Sequence, residues 1–232
     1  TMNTNSNVYT IVYASVMVII VAFVLAFFSG SLKERQDLNV KLDKKKQILY
    51  SLNLDLQDKD PAALYQQYIT QELIVNVNGD VVERKGGFDL DIKTELAKKD
   101  ESSRLLPVYE CNIDGETKYI FPLYGAGLWG PIWGYIALNH DKNTVYGVYF
   151  SHAGETPGLG AEITSHVFQS QFPNKKIKNT TNDLVSIAIV KPGKTAEGQD
   201  YVDGISGGTI TSHGVELMLK NTLVNYTSFL NK

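Results

Sequence analysis

From Val8 to Phe28 no residue carries a charge, and the run is dense in Val, Ile, Leu and Phe. A helix across a bilayer is the conformation that suits such a stretch. About 20 apolar residues span the hydrocarbon, and a helix satisfies every backbone polar group within itself. A cleaved signal peptide is the competing reading. It would show Lys or Arg ahead of the apolar run and an Ala-x-Ala site behind it, and neither is present. Residues 1–30 are therefore expected to form a tail and a transmembrane anchor. The roughly 200 residues that follow are enough for one domain with a good core.

Beyond the anchor, Leu38, Leu42, Leu49 and Leu52 fall on one stripe of helical spacing among Lys, Asp and Gln. The pattern predicts a juxtamembrane helix over 32–57, within a segment 31–60, ended by Asp58-Lys-Asp-Pro61. Pro61 suits the first turn of a second short helix reaching Tyr68. Asn78-Gly79 in the middle of Ile74–Val82 reads as a hairpin turn. The stretch from Glu95 to Arg104 is polar enough for surface helix or loop. Strand-like runs follow at Val108–Ile113, Lys118–Leu123, Trp133–Leu138 and Val145–Phe150, with turns at Asp114-Gly115 and Asn139–Asn143. A helix is expected over Ala161–Phe172, a strand over Leu184–Val190, and a closing amphipathic helix over Val215–Leu230. Strands come in neighbouring pairs rather than alternating with helices. The fold class is therefore α+β, with antiparallel pairing and flanking helices.

Several function classes can be set aside. The chain has 22 Lys and Arg against 25 Asp and Glu, net −3, and no basic stripe flanked by aromatics, so nucleic acid is an unsuitable partner. Cys111 is the single cysteine, which rules out an internal disulfide, a thiolate metal site and an iron–sulfur cluster of the chain's own. Any redox role needs an organic cofactor. His140, His152, His166 and His213 lack metal-ligand spacing. Gly125–Gly130 matches G-x-G-x-x-G, but Pro131 and a β-like run follow where a dinucleotide site needs a helix. Gly204–Gly208 matches G-x-S-x-G. In that fold the acid precedes the histidine, whereas Glu216 here follows His213. The Asn179 and Asn225 sequons are too common to use.

The most informative segment is Asp203-Gly-Ile-Ser-Gly-Gly-Thr209-Ile-Thr-Ser-His-Gly214. Glycines loosen a loop that ends in clustered hydroxyls and runs into a helix. Such a loop offers N–H groups and a helix N-terminus to an anion. A second segment, His152-Ala-Gly-Glu-Thr-Pro-Gly-Leu-Gly-Ala-Glu162, packs three glycines and a proline into a tight turn with Glu155 and Thr156 at its tip.

Together with Gly127-Leu-Trp-Gly130 and the Asp141–Gly147 run, these segments resemble, in order and spacing, the C subunit of the sodium-translocating NADH:quinone reductase. The G subunit of Rnf ferredoxin:NAD oxidoreductases is similar more distantly. The likeness spans residues 125–216 and the anchor. In that family FMN is esterified through its phosphate to the threonine ending an Asp-x-x-Ser-Gly-Ala-Thr run. The resemblance therefore implies covalent FMN on Thr209, with Thr211 as the rival attachment point. Gly208 stands where the family usually has Ala.

The resemblance further implies that residues 61–232 form an FMN-binding domain. N–H groups at Gly208, Ile210 and the helix start would hold the phosphate. Leu128, Trp129, Gly130 and Leu159 would meet the ring, and Glu155, Thr156 and Lys191 would lie at its edge and tune its potential. Ser206 and Thr211 would brace the loop, and Gly207 would belong to the cofactor site. Threonine is a weak nucleophile and no activating base is evident, so a separate flavin transferase reading Asp203–Thr209 is implied. The chain would then relay single electrons within an enzyme complex that oxidises NADH, reduces quinone and moves sodium, with no turnover of its own. Two other readings stay open: a G subunit of the Rnf type, and a non-redox anchored interaction domain.

The side of the membrane divides two arguments. Lys33, Arg35, Lys41 and Lys44–Lys46 follow the anchor and none precedes it, which by the positive-inside rule puts the domain in the cytoplasm. The resemblance implies a single-pass protein of the bacterial inner (cytoplasmic) membrane with its domain on the periplasmic side. The basic residues are interleaved with acids and the leucine stripe, and the family side is the expectation adopted.

Overall fold

A computed structural model describes residues 6–57 and 59–232. The start of the tail and Asp58, expected to help end the juxtamembrane helix, lie outside the described residues. The chain divides into two units, 1–44 and 45–232.

Helix α1 runs from Asn7 to Tyr50, so the anchor and the juxtamembrane stretch are one helix. It is long and apolar enough to cross a membrane. In the first unit Val18, Ile19, Phe23, Leu25 and Phe27 are each at least 64% exposed. Helices apolar all round belong in lipid or a protein core. The helix stops at Tyr50, seven residues short of the expected end. The Ser51 hydroxyl donates to the Ile48 carbonyl, and the Leu52 and Asn53 N–H groups fall back to the Leu49 and Tyr50 carbonyls. Asn53 then takes a left-handed φ of 55°, which Asn tolerates better than most residues.

The second unit is built on a six-stranded antiparallel sheet ordered β2-β1-β3-β4-β5-β6. The strands are β1 Ile69–Asn76, β2 Val81–Glu83, β3 Leu105–Ile113, β4 Glu116–Ala126, β5 Pro131–Leu138 and β6 Val145–His152. Alternation along β3 and β4 sends Leu106, Val108, Phe121 and Leu123 to one face and Tyr109, Cys111 and Ile120 to the other. Each face has its own core. The second is closed by Ile48, Leu49 and Leu52 together with Tyr65 of α2, Pro61–Tyr68. Burial pushes the Cys111 thiol up to about 12, so it is no thiolate at neutral pH. The β3–β4 turn has Asp114 and Gly115 both left-handed, as a two-residue hairpin requires. At the β5–β6 turn the Asp141 carboxylate accepts from the Asn143 and Thr144 N–H groups and the Thr144 hydroxyl. The polar stretch before β3 forms α3, Ile92–Leu96, and a 3-10 turn at Glu101–Ser103.

Other expected elements also differ, among them the closing helix, which starts at Thr209 and breaks at Val224 rather than running over Val215–Leu230. The helix expected over Ala161–Phe172 is a 3-10 turn, Gly160–Thr164, followed by the single-turn α4, His166–Gln169. Ser165 breaks it: its backbone is extended and its side chain accepts from the Phe168 N–H, which starts a new helix. Of Leu184–Val190 only Ala188–Val190 forms a strand, β7; Leu184 makes an isolated antiparallel bridge to Lys178, and Ser186, with a φ of 66°, lies between the two. Its partner, β8 Tyr201–Asp203, runs parallel to it.

Helix α5, Thr209–Leu223, closes the first core, followed by a 3-10 turn at Val224–Tyr226 and α6, Thr227–Leu230. Its close approach to β4 depends on two glycines. A Cβ on Gly214 would sit 2.4 Å from the Ala126 carbonyl oxygen, and one on Gly125 would sit 2.7 Å from Met218 Cβ. With antiparallel strands flanked by helices, the domain is α+β as expected.

Candidate functional site

Three connections meet at the N-terminal end of α5. The first is the β4–β5 loop, residues 127–130, closed by a Gly127 N–H to Gly130 carbonyl bond of 2.8 Å. It is a hairpin turn and opens no helix, so the G-x-G-x-x-G match has no dinucleotide geometry behind it. Its side chains point outward, Leu128 48% and Trp129 69% exposed.

The second follows β6. The Thr156 carbonyl accepts from both the Leu159 and Ala161 N–H groups, and Gly158 supplies a φ of 73°. This tight turn leaves Thr156 and Leu159 exposed. Glu155 lies beneath it, only 4% exposed.

The third is the loop from β8 into α5. The Gln171 side-chain amide accepts from the Asp203 N–H at 2.8 Å and donates to the Asp203 carbonyl, standing in for a neighbouring strand. The Asp203 carboxylate is left on the surface. The Gly204 N–H donates to the Val190 carbonyl, and the Ile205 N–H to the Ser212 hydroxyl at 2.9 Å. The Gly208 N–H then closes a turn onto the Ile205 carbonyl. Gly207 holds a φ of 75° there, and a Cβ on it would lie 2.7 Å from Leu159 Cδ2. Gly208 is the N-cap of α5 and no side chain caps the helix. The first N–H groups of a helix have no acceptor within it, so those of Thr209, Ile210 and Thr211 carry the positive end of the dipole.

Thr209, the first helical residue, is exposed, and Ile210 beside it is 59% exposed. Thr211 is the opposite case. It is 1% exposed, and its hydroxyl donates to Glu155 Oε2 at 2.6 Å. Its side chain is buried and its hydroxyl is already engaged. Ser206 was expected to brace the loop as well, but it is exposed, and Ser212 does that work.

A pocket of about 370 Å³ opens beside Thr209, lined by Ile189–Pro192, Gly204–Gly207, Ser212 and His213. Lys191 and Thr209 thus share one cavity. Leu128, Trp129, Gly130 and Thr156 are not in its lining. Leu159 packs against the 207–208 turn, and Trp129 is tied to Glu155 through its N–H at 2.9 Å. Glu155, expected at the edge of a bound ring, has both oxygens engaged inside the protein.

Sequence reasoning missed Gln171, Ser212 and the apolar wall of Ile189, Pro192 and Ile205. It also missed the pairing of His213 Nδ1 with Glu216 Oε2 at 3.0 Å. Ser212 belonged to the recognised hydroxyl cluster, and the His213–Glu216 pair had the i,i+3 spacing of a helix. Gln171 carried no local signal, because its partner is far along the chain. Among the described residues no His, Cys, Asp and Glu group could hold a metal.

The arrangement sets an exposed hydroxyl at an uncapped helix N-terminus between a pocket and a group of exposed apolar side chains. It can receive a phosphate on the hydroxyl and cover a flat group attached to it. Comparison with known proteins places the chain among FMN-binding domains. The family model for the FMN-binding domain matches residues 127–224. The chain is similar to the C subunit of a Na(+)-translocating NADH-quinone reductase of Haemophilus ducreyi, 32% identical over 91% of this chain and 87% of the relative. Among solved structures it resembles that of the C subunit of a Na(+)-translocating NADH-quinone reductase from Parabacteroides distasonis. The TM-score is 0.80 with 48% identity, covering 87% of this chain and 98% of the other. It also resembles NqrC of Shewanella oneidensis, with a TM-score of 0.68 and 25% identity over 82% and 96%.

Proposed function

This chain belongs to the family of C subunits of Na(+)-translocating NADH-quinone reductases, and from that premise we propose that it carries FMN as a phosphoester of Thr209 and relays single electrons within such a complex. The contrast between the two threonines carries the reading. Thr209 offers an exposed hydroxyl on uncapped N–H groups, while the Thr211 hydroxyl is buried and already donated.

FMN, when bound, supplies one-electron chemistry that none of the chain's own groups can perform. The residues here fit such a group. The N–H groups of Thr209 and Ile210, at the uncapped start of α5, would hold the phosphate charge. Lys191, at the mouth of the adjoining pocket, adds a cation. Leu128, Trp129, Leu159 and Ile210 present exposed apolar surface that a flat ring would cover. A covalent link removes dissociation, so moderate contacts are enough to fix position.

Forming the link joins Thr209 Oγ1 to the phosphorus of a flavin nucleotide as the bond from that phosphorus to the donor's leaving group breaks and the hydroxyl proton departs. A separate flavin transferase performs this step, reading the loop from Asp203 to Thr209. Gln171 pins the Asp203 backbone and leaves its carboxylate on the surface for recognition. In cells that also make the transferase, the parent should run on a denaturing gel as a band fluorescent under ultraviolet light. Asp203→Ala should dim that band while costing no more than about 1 kcal/mol in stability, the scale of a surface change. Equal fluorescence in mutant and parent would remove Asp203 from the recognised residues.

The alternative of an Rnf-type protein has less support, since the relatives described above belong to NADH-quinone reductases. We place the anchor in the bacterial inner membrane and residues 30–232 on its periplasmic side. The basic residues after the anchor are set among acids and leucines of a continuing helix rather than in a short loop. Protease added to intact spheroplasts should digest the domain. Full protection until lysis would refute this placement.

A further inference from the structure

We infer that Glu155 is a positioning residue: it locks the three connections around Thr209 into one surface from below. The inference rests on Thr209 being the residue that receives the flavin.

Glu155 is 4% exposed, yet each of its carboxylate oxygens has a partner from a different segment. Oε1 accepts from the Trp129 N–H at 2.9 Å, in the β4–β5 loop. Oε2 accepts from the Thr211 hydroxyl at 2.6 Å, in the first turn of α5. The Glu155 N–H itself donates to His152 Nδ1 at 3.1 Å, tying the carboxylate's own segment to the end of β6. Hydrogen bonds to a carboxylate are shorter and stronger than neutral ones; the one from Thr211 is buried and the one from Trp129 partly so.

The room for this carboxylate comes from glycines. A Cβ on Gly127 would lie 2.4 Å from Oε1. One on Gly160 would lie 2.5 Å from Oε2 and 2.4 Å from the Thr211 oxygen. Gly127 of Gly-Leu-Trp-Gly and Gly160 of the Pro-Gly-Leu-Gly turn therefore share one physical cause, and so does the hydroxyl two residues past Thr209.

Burying a carboxylate is costly unless it is fully hydrogen-bonded. Among the described residues no Lys, Arg or His forms an ion pair with Glu155. The positive end of α5 supplies the compensation, since Thr211 is the third residue of that helix. A contact needed only to close a loop would not require a buried charge. This one fixes Trp129 through its backbone, Leu159 through the carboxylate's own segment, and Thr209 through the helix turn it shares with Thr211. The apolar side chains are thereby held in place relative to the hydroxyl before any flavin arrives. Glu155 acts through these residues and does not face the ring.

The test uses the full-length chain with a flavin transferase and its flavin nucleotide donor. It compares Glu155→Ala, Thr211→Val and the double variant. Each single change should slow covalent flavin incorporation about 10- to 100-fold, the scale of a small misplacement of reacting groups. The double variant should be no slower than the slower single, because both remove one link. The flavin that is incorporated should still be on Thr209. A second readout needs no flavin: in a Trp133→Phe background, Trp129 fluorescence anisotropy should fall in Glu155→Ala and in Thr211→Val. Loading at the parent rate in both singles, or slowing in the double equal to the product of the singles, would overturn the inference, as would unchanged anisotropy. Should Glu155→Ala lose its cooperative melt, Glu155→Gln takes its place with the same expectations in milder form. A parent that takes up no covalent flavin would count against Thr209 as the modified residue, while the anisotropy would still judge the link.

Discussion

Replacing Thr209 by alanine is expected to remove all covalently held flavin and leave the domain folded. The side chain sits at the first position of α5, exposed to solvent, where alanine is accepted without strain. The change should stay within about 0.5 kcal/mol, as for most surface substitutions. The loss of flavin should be complete because no neighbouring hydroxyl can replace it. Thr211 is buried under Glu155, and the Ser212 hydroxyl accepts from the Ile205 N–H. The measurement is fluorescence of the denatured polypeptide alongside a thermal melt. A fluorescent Thr209→Ala band, with fluorescence lost instead in Thr211→Val even after prolonged loading, would move the site to Thr211.

Gly214→Ala should produce the largest loss of stability for the smallest chemical change. Helix preference alone favours alanine by about 1 kcal/mol. Against that, the new Cβ would sit 2.4 Å from the Ala126 carbonyl oxygen and 3.4 Å from Gly127 Cα. These are backbone atoms that cannot swing aside, so helix and strand must separate. Overpacking of this kind costs about 3 kcal/mol, leaving a net destabilisation of about 2 kcal/mol. For a domain of this size the melting temperature should fall by about 4–8 °C. Covalent loading should fall with it, because the displaced helix carries Thr209 and the displaced strand leads into the Trp129 loop. A melting temperature at or above the parent's would show that α5 and β4 pack more loosely than their glycines imply.

Elements specified by local chemistry were legible in the sequence. The apolar run of α1, the Asp114-Gly115 turn and Pro61 at the start of α2 each follow from residue type and spacing. The alternating strands β3 to β6 follow from hydrophobic period. Elements that depend on a distant partner were not legible. The parallel pairing of β7 with β8 joins segments across a ten-residue spacer whose composition marks no strand. The break at Ser165 competes with a helical pattern that looked continuous, and only the extended backbone at that residue decides it. At the site, the loop and its threonine stood out because glycines and hydroxyls cluster in sequence. The role of Glu155 did not, because its partners are 26 and 56 residues away. Sequence placed it at the tip of a turn, where an exposed carboxylate is the ordinary expectation, and packing placed it underneath.

The central claim, a phosphoester at Thr209, is tested most directly by mass spectrometry of one peptide. Tryptic cleavage after Lys194 and Lys220 releases residues 195–220, which hold Thr209, Thr211 and Ser212 together. Protein purified from cells that make the transferase should yield this peptide heavier by one FMN less one water, with fragment ions assigning the added mass to Thr209. An unmodified peptide, or fragments that place the mass on Thr211 or any other residue, would contradict it.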